Sequence, residues 1–345
     1  MQKNQTGIGR RANSQTDLSR RLFLRGAALS LGAGMGAATL GMPTVLRAAE
    51  PSQVSLGGMS NGWSLMATTM MKERGFDKKN KVEIEPKYYP TLQVYYADYV
   101  AGRIDVAMGA WDFFAAQHIK GVPIRLLGVV STYSMAGILV GPKGPRTIEE
   151  MKGKSLAALQ GGGLYSLAKT TLKKFSGIEL EKDVSVQNIQ NINAGVTLVA
   201  ADRADGTLVW EPGLATGLKM MPGARILLNV DDYLKQHTGR EGPYFALSVQ
   251  EAALKRDPAA APRLTDAYLE LFDYVGKHTD EFAEMGKVQD LDPAIMREAM
   301  NSNRLKLQMR PMTVEKNRAD VQFFADMLSE NGGLPGKLDP SFYIA

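Results

Sequence analysis

Cysteine is absent from this chain of 345 residues. Its absence excludes disulfides, thiolate chemistry and cysteine-based zinc sites, and it leaves no cysteine that could carry a lipid anchor. Histidine is almost as scarce: the chain has only His118, His237 and His278, and no two of them share a helical spacing. We therefore expect no transition-metal site and no cofactor.

The first 49 residues have the composition of an export leader rather than of a folded domain. The segment Ser19-Arg20-Arg21-Leu22-Phe23-Leu24-Arg25 fits the twin-arginine pattern, which directs a protein to the twin-arginine (Tat) export machinery. The Gly/Ala-rich run that follows spans about 17 residues, which is short and weakly apolar for a stable membrane span. Ala48 and Ala49 supply the small residues of a cleavage point. We expect residues 1–49 to be removed and the protein to be free in the periplasm.

The excess positive charge of the chain lies in this leader. Seven of the 41 Lys and Arg residues fall within residues 1–49, but only one of the 36 Asp and Glu residues does. The net charge therefore changes from +5 for the whole chain to about −1 after the leader. Because no basic stripe remains, binding to nucleic acid is not expected.

Short apolar runs alternate with helix-period stretches along the remaining sequence. "VSLGGM", "IDVAMGA" and "PIRLLGVV" are separated by stretches such as Leu92, Tyr95, Tyr96 and Tyr99, whose spacing is helical. The alternation predicts an α/β fold of mostly parallel sheets flanked by helices. A second set of strands and helices begins after "AGILVGPKGP", and the sequence beyond "PYFALSV" is mainly helical.

The order of these segments predicts two lobes. We expect residues 50–141 and 231–345 to form a discontinuous first lobe with a helical tail, and residues 142–230 to form the second. The two crossovers are expected near residues 140–144 and 229–234. Two α/β lobes joined in this way form a hinged clamp, which holds a ligand between the carboxyl ends of the facing strands.

The three tryptophans of the chain all lie in predicted strand-to-helix turns. Trp63 follows "SLGGMSNG", Trp111 follows "IDVAMGA", and Trp210 ends "GTLVW". In an open α/β sheet such turns are where ligands bind, because helix N-termini present free N–H groups there. Each tryptophan taken singly could equally be a packing residue. Their shared position favours three aromatic walls of one cleft.

A fourth turn of this kind contains three consecutive glycines, in "LQGGGLYSLAK" at residues 159–169. Glycines allow the backbone to approach a ligand and leave N–H groups directed into a cleft. Tyr165 and Ser166 would add an aromatic edge and a hydroxyl. An ordinary loop is the alternative, because neither a phosphate-loop lysine nor a complete dinucleotide fingerprint accompanies the glycines.

These turns resemble those of the sulfonate/taurine/nitrate-type solute-binding proteins of ABC importers, a family that includes binders of the thiamine pyrimidine precursor. The resemblance lies in "YVAGRIDVAMGAWDFFAAQHIKGVPIRLLGV" and in "GKSLAALQGGGLYSLAKTTLKKFSGIEL". It continues in "ADRADGTLVWEPGLA", which is similar to the D-A-x-x-x-W-E-P element of the family. It covers roughly residues 53–250 and implies the periplasmic-binding-protein-like fold. One departure is that Leu164 and Tyr165 replace the family's Gly-Ser/Thr pattern after Gly163.

The resemblance also implies a set of ligand-binding residues in the turns of both lobes. Glu211 and Asp105 are instead expected to be structural, Glu211 as an acid in the first turn of a helix. The expected ligand-binding residues are Ser60, Asn61, Trp63, Ala110, Trp111, Ser131, Thr132, Tyr133, Gly162, Gly163, Tyr165, Ser166, Asn193 and Trp210.

The resemblance and the export signal together predict a monomeric solute receptor that delivers a small ligand to an ABC permease. No Lys or Arg stands in the predicted pocket turns, so an anion would depend on backbone N–H groups and hydroxyls. We expect an alkyl or aryl sulfonate or an aromatic carboxylate. A pyrimidine-type thiamine precursor, or another flat or cationic ligand, is the alternative.

An enzyme is the competing class, because the yeast-type pyrimidine synthase shares this fold. No histidine stands in the predicted cleft turns, and Asp112, Asp205 and Glu211 are the only carboxylates near them. Because no base–nucleophile pair can be identified, we expect no catalytic residue and no enzymatic activity.

Overall fold

The computed structural model describes residues 50–344. The predicted leader, residues 1–49, lies outside the described residues. Within residues 50–344 the strands are β1 (Ser52–Met59), β2 (Val82–Tyr89), β3 (Val106–Ala110), β4 (Ile124–Val129), β5 (Ala136–Val140), β6 (Ser155–Ala158), β7 (Ser185–Asn188), β8 (Gly206–Trp210), β9 (Arg225–Asn229), β10 (Phe245–Gln250) and β11 (Arg310–Pro311).

The α-helices of the same residues alternate with the strands up to β10 and then dominate. They are α1 (Trp63–Glu73), α2 (Phe76–Lys79), α3 (Leu92–Val100), α4 (Trp111–Ile119), α5 (Gly163–Ser176), α6 (Ile192–Ala200), α7 (Gly213–Met220), α8 (Val230–Thr238), α9 (Glu251–Arg256), α10 (Ala260–Lys277), α11 (Thr279–Glu284), α12 (Pro293–Asn301) and α13 (Glu315–Glu330). No helix in residues 50–344 is both long and apolar enough to cross a membrane.

The first lobe is built on a six-stranded sheet of order β11-β4-β10-β3-β1-β2. Strand β1 is parallel to β2 and β3, whereas β10 is antiparallel to β3 and β4, and β11 is antiparallel to β4. Every residue of β3 is buried, which suits a central strand covered by helices on both faces. The sheet is therefore mixed, with β1 to β4 running in one direction.

The second lobe is built on a five-stranded sheet of order β7-β6-β8-β5-β9. Strand β6 is parallel to β7 and β8, and β5 is antiparallel to both β8 and β9. Two mixed α/β sheets, each flanked by helices, form the two-lobe architecture that the alternation of strands and helices predicts.

The chain passes between the two sheets at other positions than we expected. Strand β5 lies in the second sheet, so the first crossing occupies residues 130–135 and not 140–144. Helix α8 packs on β5 and β9, which moves the second crossing to residues 239–244 from the expected 229–234. Residues 136–140 were expected at the end of the first lobe, but they pair with β8 and β9 of the second sheet. The sequence pattern does not show which strands pair.

The two crossing segments lie side by side. The Tyr133 N–H donates to the Gly242 carbonyl at 2.9 Å, the Tyr244 N–H donates to the Ser131 carbonyl at 2.9 Å, and Thr132 forms a bridge with Pro243. A two-stranded connection of this kind can bend while its hydrogen bonds persist, so it forms the hinge of the clamp.

The helical tail contacts both lobes. Helix α10 packs beneath β1 and β2 of the first sheet, whereas α12 packs on α7 of the second lobe. An ion pair between Lys219 on α7 and Asp292 at the start of α12 lies on the same side. The tail was expected to belong to the first lobe, but its apolar stripes do not reveal that one helix also packs on the other lobe.

Candidate functional site: a cleft between the lobes

A cavity of about 320 Å³ lies between the two lobes, at the turns that precede α1, α5 and α6. It is lined by residues of both sheets and by a segment of the tail. Eight of the expected ligand-binding residues line it: Asn61, Trp63, Ala110, Gly162, Gly163, Tyr165, Asn193 and Trp210. The rule that ligands bind beyond strand carboxyl ends therefore locates most of the cleft correctly.

Aromatic rings from both lobes form its main wall. The Trp63 ring meets the Phe245 ring edge to face, with the ring centroids 5.2 Å apart. Trp210, from the second lobe, approaches the same Phe245 ring at 6.3 Å. Tyr244 packs against Phe245 at 4.6 Å. One aromatic cluster thus connects the two lobes and presents flat apolar surface to the cavity.

Two tyrosines of α3 form another part of the lining. Tyr95 Oη accepts the Met108 N–H at 2.8 Å and donates to the Gly57 carbonyl at 2.9 Å, which ties α3 to β1 and β3. Tyr96 Oη accepts the Ala110 N–H at 3.2 Å. Burial raises the pKa of both phenols. Both rings are therefore held uncharged and rigid at the cavity surface.

Three expected ligand-binding residues are turned away from the cavity. Trp111 begins α4, and its ring is fully buried in the core. Ser166 lies one position beyond the cleft-facing Tyr165, and its hydroxyl donates to the Gly333 carbonyl at 3.0 Å. Ser60 is exposed and does not line the cavity. Their sequence positions place them in the turns, but the direction of each side chain is set by packing that the sequence does not show.

The other three, Ser131, Thr132 and Tyr133, belong to the first hinge segment and do not line the cleft. Tyr133 stacks on Tyr244 at 4.3 Å, behind the aromatic wall. Ser131 and Thr132 border a separate polar depression of about 410 Å³. The expectation came from reading residues 131–133 as a strand end, whereas they form the connection to the other lobe.

Several lining residues were missed for one topological reason. Tyr244 and Phe245 stand at the amino end of β10, and this end reaches the cleft because β10 runs antiparallel to β3. The rule about strand carboxyl ends does not find them.

The tail contributes Gln289, whose side chain bonds both the N–H and the carbonyl of Gly62, together with Asp290. No signal in the sequence connects that segment with the cleft.

The cleft carries little charge. None of its lining residues within residues 50–344 is Lys, Arg or His, and Asp290 is the one carboxylate among them. A second carboxyl, that of Asp112 in the first turn of α4, lies buried behind the wall. Burial raises the pKa of Asp112 to about 7, although backbone N–H groups, including that of Phe113 (3.0 Å), act in the opposite direction.

Glu211 is structural, as expected, although it precedes α7 and does not lie in the first turn of that helix. It is fully buried: Oε2 accepts the Ala215 N–H at 3.0 Å at the start of α7, and Oε1 lies 2.6 Å from Nε of Arg304 in the tail. Burial alone would lower the pKa of Arg304, but the carboxylates of Glu211 and Glu298 together outweigh that effect and raise the pKa. The pair fastens the tail to the second lobe.

Neither known protein-family profiles nor curated protein sequences give a match to this chain. Solved structures do. The alkanesulfonate-binding protein SsuA of Xanthomonas axonopodis pv. citri, bound to MOPS, has a TM-score of 0.70 at 19% identity, over 86% of this chain and 99% of that one. The periplasmic aliphatic sulphonate binding protein SsuA of Escherichia coli has a TM-score of 0.68 at 16% identity, over 84% and 96%.

A third similar structure is a Candida albicans gene product described as having the generic periplasmic binding protein structural fold, with a TM-score of 0.62 at 14% identity over 84% of this chain and 93% of that one. The two SsuA structures are named as sulfonate-binding proteins, which is the class that the sequence resembles. At these identities the likeness establishes the architecture: the chain has the two-lobed fold of the periplasmic binding proteins.

Proposed function

We propose that this protein is an exported solute receptor, which captures a small organic molecule between its lobes and delivers it to an ABC permease. The observation that carries the proposal is the aromatic cavity of about 320 Å³ bounded by both lobes. A ligand that touches both walls favours the closed clamp, and a permease can recognise that state. The paired hinge segments support such a motion. We expect the protein to act as a monomer in the periplasm, after export by the Tat machinery.

An organic anion is one candidate for the ligand. Helices α1, α5 and α6 begin at the cavity, and helix N-termini favour negative charge. The printed names of the neighbouring sulfonate-binding proteins support a sulfonate. An alkyl or aryl sulfonate or an aromatic carboxylate would place its apolar body against Trp63 and Trp210.

A flat uncharged or cationic ligand, such as a pyrimidine-type thiamine precursor, is the other candidate. Two observations favour it: the aromatic wall, and the absence of Lys, Arg and His among the cleft-lining residues of the described part of the chain. Aromatic faces attract cations, and Asp290 adds negative charge at the cavity. The charge of the site therefore favours this class over the anion.

We propose a binding role rather than catalysis. His118, His237 and His278 lie outside the cavity lining, as does Glu211, which is engaged with Arg304. The pyrimidine-synthase alternative requires a base positioned against a bound substrate. Incubating the protein with each ligand that it binds and analysing the mixture by mass spectrometry distinguishes the two, because a receptor returns the ligand unchanged.

Tryptophan fluorescence titration tests the proposal, since two of the three tryptophans line the cavity. The panel contains alkyl and aryl sulfonates, aromatic carboxylates, pyrimidines and quaternary amines. We expect a saturable change in fluorescence with one class of compound. Trp210→Ala should weaken the affinity for that class at least tenfold. Trp111→Phe is the matched control and should leave the affinity unchanged. If no compound changes either the fluorescence or the melting temperature, the result counts against a small-molecule receptor with this cleft.

A further inference from the structure

A short segment of the tail, residues 285–291, runs along the cleft from the first lobe to the second, and we call it the strap. It connects α11 to α12 and begins with a 3-10 helix, Met285–Gln289, which packs on α1 of the first lobe. Gln289, Asp290 and Leu291 line the cavity beside the turn that precedes α1. The strap therefore forms one side of the cleft.

At its beginning the strap is joined to the first lobe through α11. This helix packs on α1 and α10. Glu281 Oε1 accepts the Nε–H of Arg74, at the end of α1, at 2.9 Å, and Glu281 Oε2 accepts the Tyr274 hydroxyl of α10 at 2.7 Å. Phe282 is fully buried. Helix α11 therefore moves with the first lobe.

At its other end the strap is joined to the second lobe through α12. This helix packs on α7, and Asp292 at its start pairs with Lys219 of α7. Arg304, just beyond the end of α12, pairs with the buried Glu211 at 2.6 Å. The strap is thus a third connection between the lobes, on the cleft side of the two hinge segments.

The side chain of Gln289 fastens the strap to the first lobe at the cleft itself. Its Oε1 accepts the Gly62 N–H, and its Nε2 donates to the Gly62 carbonyl at 3.1 Å. Gly62 has a φ angle of 92°, which glycine adopts readily, and it directly precedes Trp63 of the aromatic wall. Gln289 therefore holds the strap against the residue next to that wall.

The connection of the strap to the first lobe is the weaker of the two. Gln289 contributes two uncharged hydrogen bonds, and the ion pairs of Arg297 that join α12 to α11 lie at the surface. The pair of Glu211 and Arg304 is buried, and breaking a buried pair costs more. Bending of the hinge should therefore separate Gln289 from Gly62 and leave α12 on α7.

We propose that Gln289 is the latch of the clamp: when the lobes open, Gln289 leaves Gly62 and the strap follows the second lobe, which uncovers the cleft at Trp63. The inference rests on the proposed receptor function and adds the step by which the cleft opens. Gln289 is a positioning residue, because it acts on the cleft by holding the strap in place.

Distances between spin labels test which lobe the strap follows. The chain has no cysteine, so cysteines can be introduced singly at side chains that are about half exposed: Val94→Cys on α3, Met220→Cys on α7 and Val288→Cys on the strap. Double electron–electron resonance then measures the pairs 94–288 and 220–288 without any ligand. We expect Gln289→Ala to add a population about 5 Å or more longer for the pair 94–288, and to leave the pair 220–288 unchanged.

Two further variants separate the hydrogen bonds from other effects. Lys287→Ala is the matched control on the same strap, because Lys287 is exposed and pairs with Glu284, and it should leave both distances as in the wild type. Gln289→Met keeps the length of the side chain but not the two bonds, and it should behave like Gln289→Ala. The proposal is wrong if the pair 220–288 lengthens instead, if neither distance changes, or if Gln289→Met behaves like the wild type.

A second measurement uses acrylamide as a probe of the cleft. Trp63 is 1% exposed, so acrylamide should quench its fluorescence only when this side of the cleft opens. Every variant carries Trp210→Phe, which removes the partly exposed tryptophan and leaves Trp111 fully buried in the core. We expect Gln289→Ala to raise the Stern–Volmer constant at least threefold and Lys287→Ala to leave it unchanged.

Equal Stern–Volmer constants in Gln289→Ala and Lys287→Ala, at similar melting temperatures, contradict the latch. Neither the label distances nor the acrylamide quenching requires a ligand. Failure of the receptor function therefore appears in the fluorescence panel, and failure of this inference appears in these two measurements.

Discussion

The two lobes contain the same hydrogen-bonded frame, repeated one hundred residues apart. In the first lobe, Ser55 Oγ donates to Asp105 Oδ2 at 3.0 Å and accepts the Asp105 N–H at 3.0 Å. In the second, Ser155 and Asp205 make the same two bonds at 2.8 and 3.0 Å. The first pair joins β1 to the start of the neighbouring β3, and the second joins β6 to the start of the neighbouring β8. The lobes are therefore two versions of one structural unit.

The first residues of the two equivalent helices, which both line the cleft, differ between the lobes. Helix α1 begins with Trp63, and the equivalent helix α5 begins with Gly163. The tryptophan packs on Phe245 and forms the aromatic wall, whereas the glycine accommodates the carboxyl group of Asp112. The comparison teaches that the repeated frame fixes where a cleft residue stands, and that the partner lobe decides how large it can be.

The buried acids of the two lobes differ in the same way. Glu211 follows β8 and pairs with Arg304, while Asp112 follows β3 by two residues and has no cation among its described neighbours. Glu211 is held by an ion pair that fastens the tail, whereas Asp112 accepts a backbone N–H at the N-terminus of its own helix, α4. Breaking the ion pair of Glu211 should therefore lower the stability of the fold, whereas neutralising Asp112 should raise it.

The largest effect is expected from Arg304→Gln. It leaves the fully buried Glu211 carboxylate without its cation, and breaking a buried pair from one side costs about 3 kcal/mol or more. Urea denaturation measures the free energy of unfolding. Glu298→Gln is the control, because it removes the other, 46% exposed partner of Arg304 and should cost under about 1 kcal/mol. Equal losses in both variants would show that the tail does not depend on Glu211.

Gly163→Ala should have the next largest effect. The added Cβ atom would overlap the Asp112 carboxyl group, and overpacking of this kind costs about 2 kcal/mol, despite alanine's better helix propensity. Gly161→Ala is the matched control, since its Cβ atom would have no neighbour within 4 Å. The double variant Gly163→Ala/Asp112→Ala should recover most of the loss in urea denaturation. Its failure to do so would separate the glycine from the carboxyl group.

Asp112→Asn tests the unpaired acid through pH. The folded-state pKa of Asp112, about 7, is above its ordinary value of 3.8, so the folded wild type loses stability as pH rises from about 4 through about 7. Asparagine does not titrate. Between pH 5 and pH 8 the variant should gain about 2–3 kcal/mol over the wild type, because each pH unit between 5 and the folded-state pKa contributes about 1.4 kcal/mol. Urea titrations at pH 5 and 8 measure this, and a gain independent of pH would contradict the burial of a charge.

Much of the architecture was available from the sequence, because alternating strands and helices and the residues at strand ends are local signals. The cleft turns followed from them, as eight of fourteen expected residues line the cavity. Strand direction is not a local signal. The predicted crossovers were misplaced because β5 pairs within the second sheet. Tyr244 and Phe245 were missed because β10 runs antiparallel to β3. Trp111 was misread because a turn position does not fix the direction of a side chain.

The internal repeat was present in the sequence but is weak as a pattern. "SLGGMSNGWSL" and "SLAALQGGGLYSL" begin one hundred residues apart. The first is followed by "IDVAMGAW" and the second by "DGTLVWEP". Only the two Ser–Asp pairs and the strand order make the relation clear. Asp112 could be recognised as an acid in a first helical turn, but its contact with Gly163 depends on how the lobes meet.

The smallest effects are expected from Ser55→Ala and Ser155→Ala, and they test the repeat itself. Each change removes one hydroxyl that donates to an aspartate carboxylate and accepts the aspartate N–H. Each should cost about 1 kcal/mol in urea denaturation. Because the two sites lie in different lobes, the losses in the double variant should add. Ser60→Ala, at an exposed position in the turn before α1, should cost under about 0.5 kcal/mol. If only one of the two serine variants loses stability, the two Ser–Asp pairs share a geometry but do not contribute equally to the free energy of unfolding.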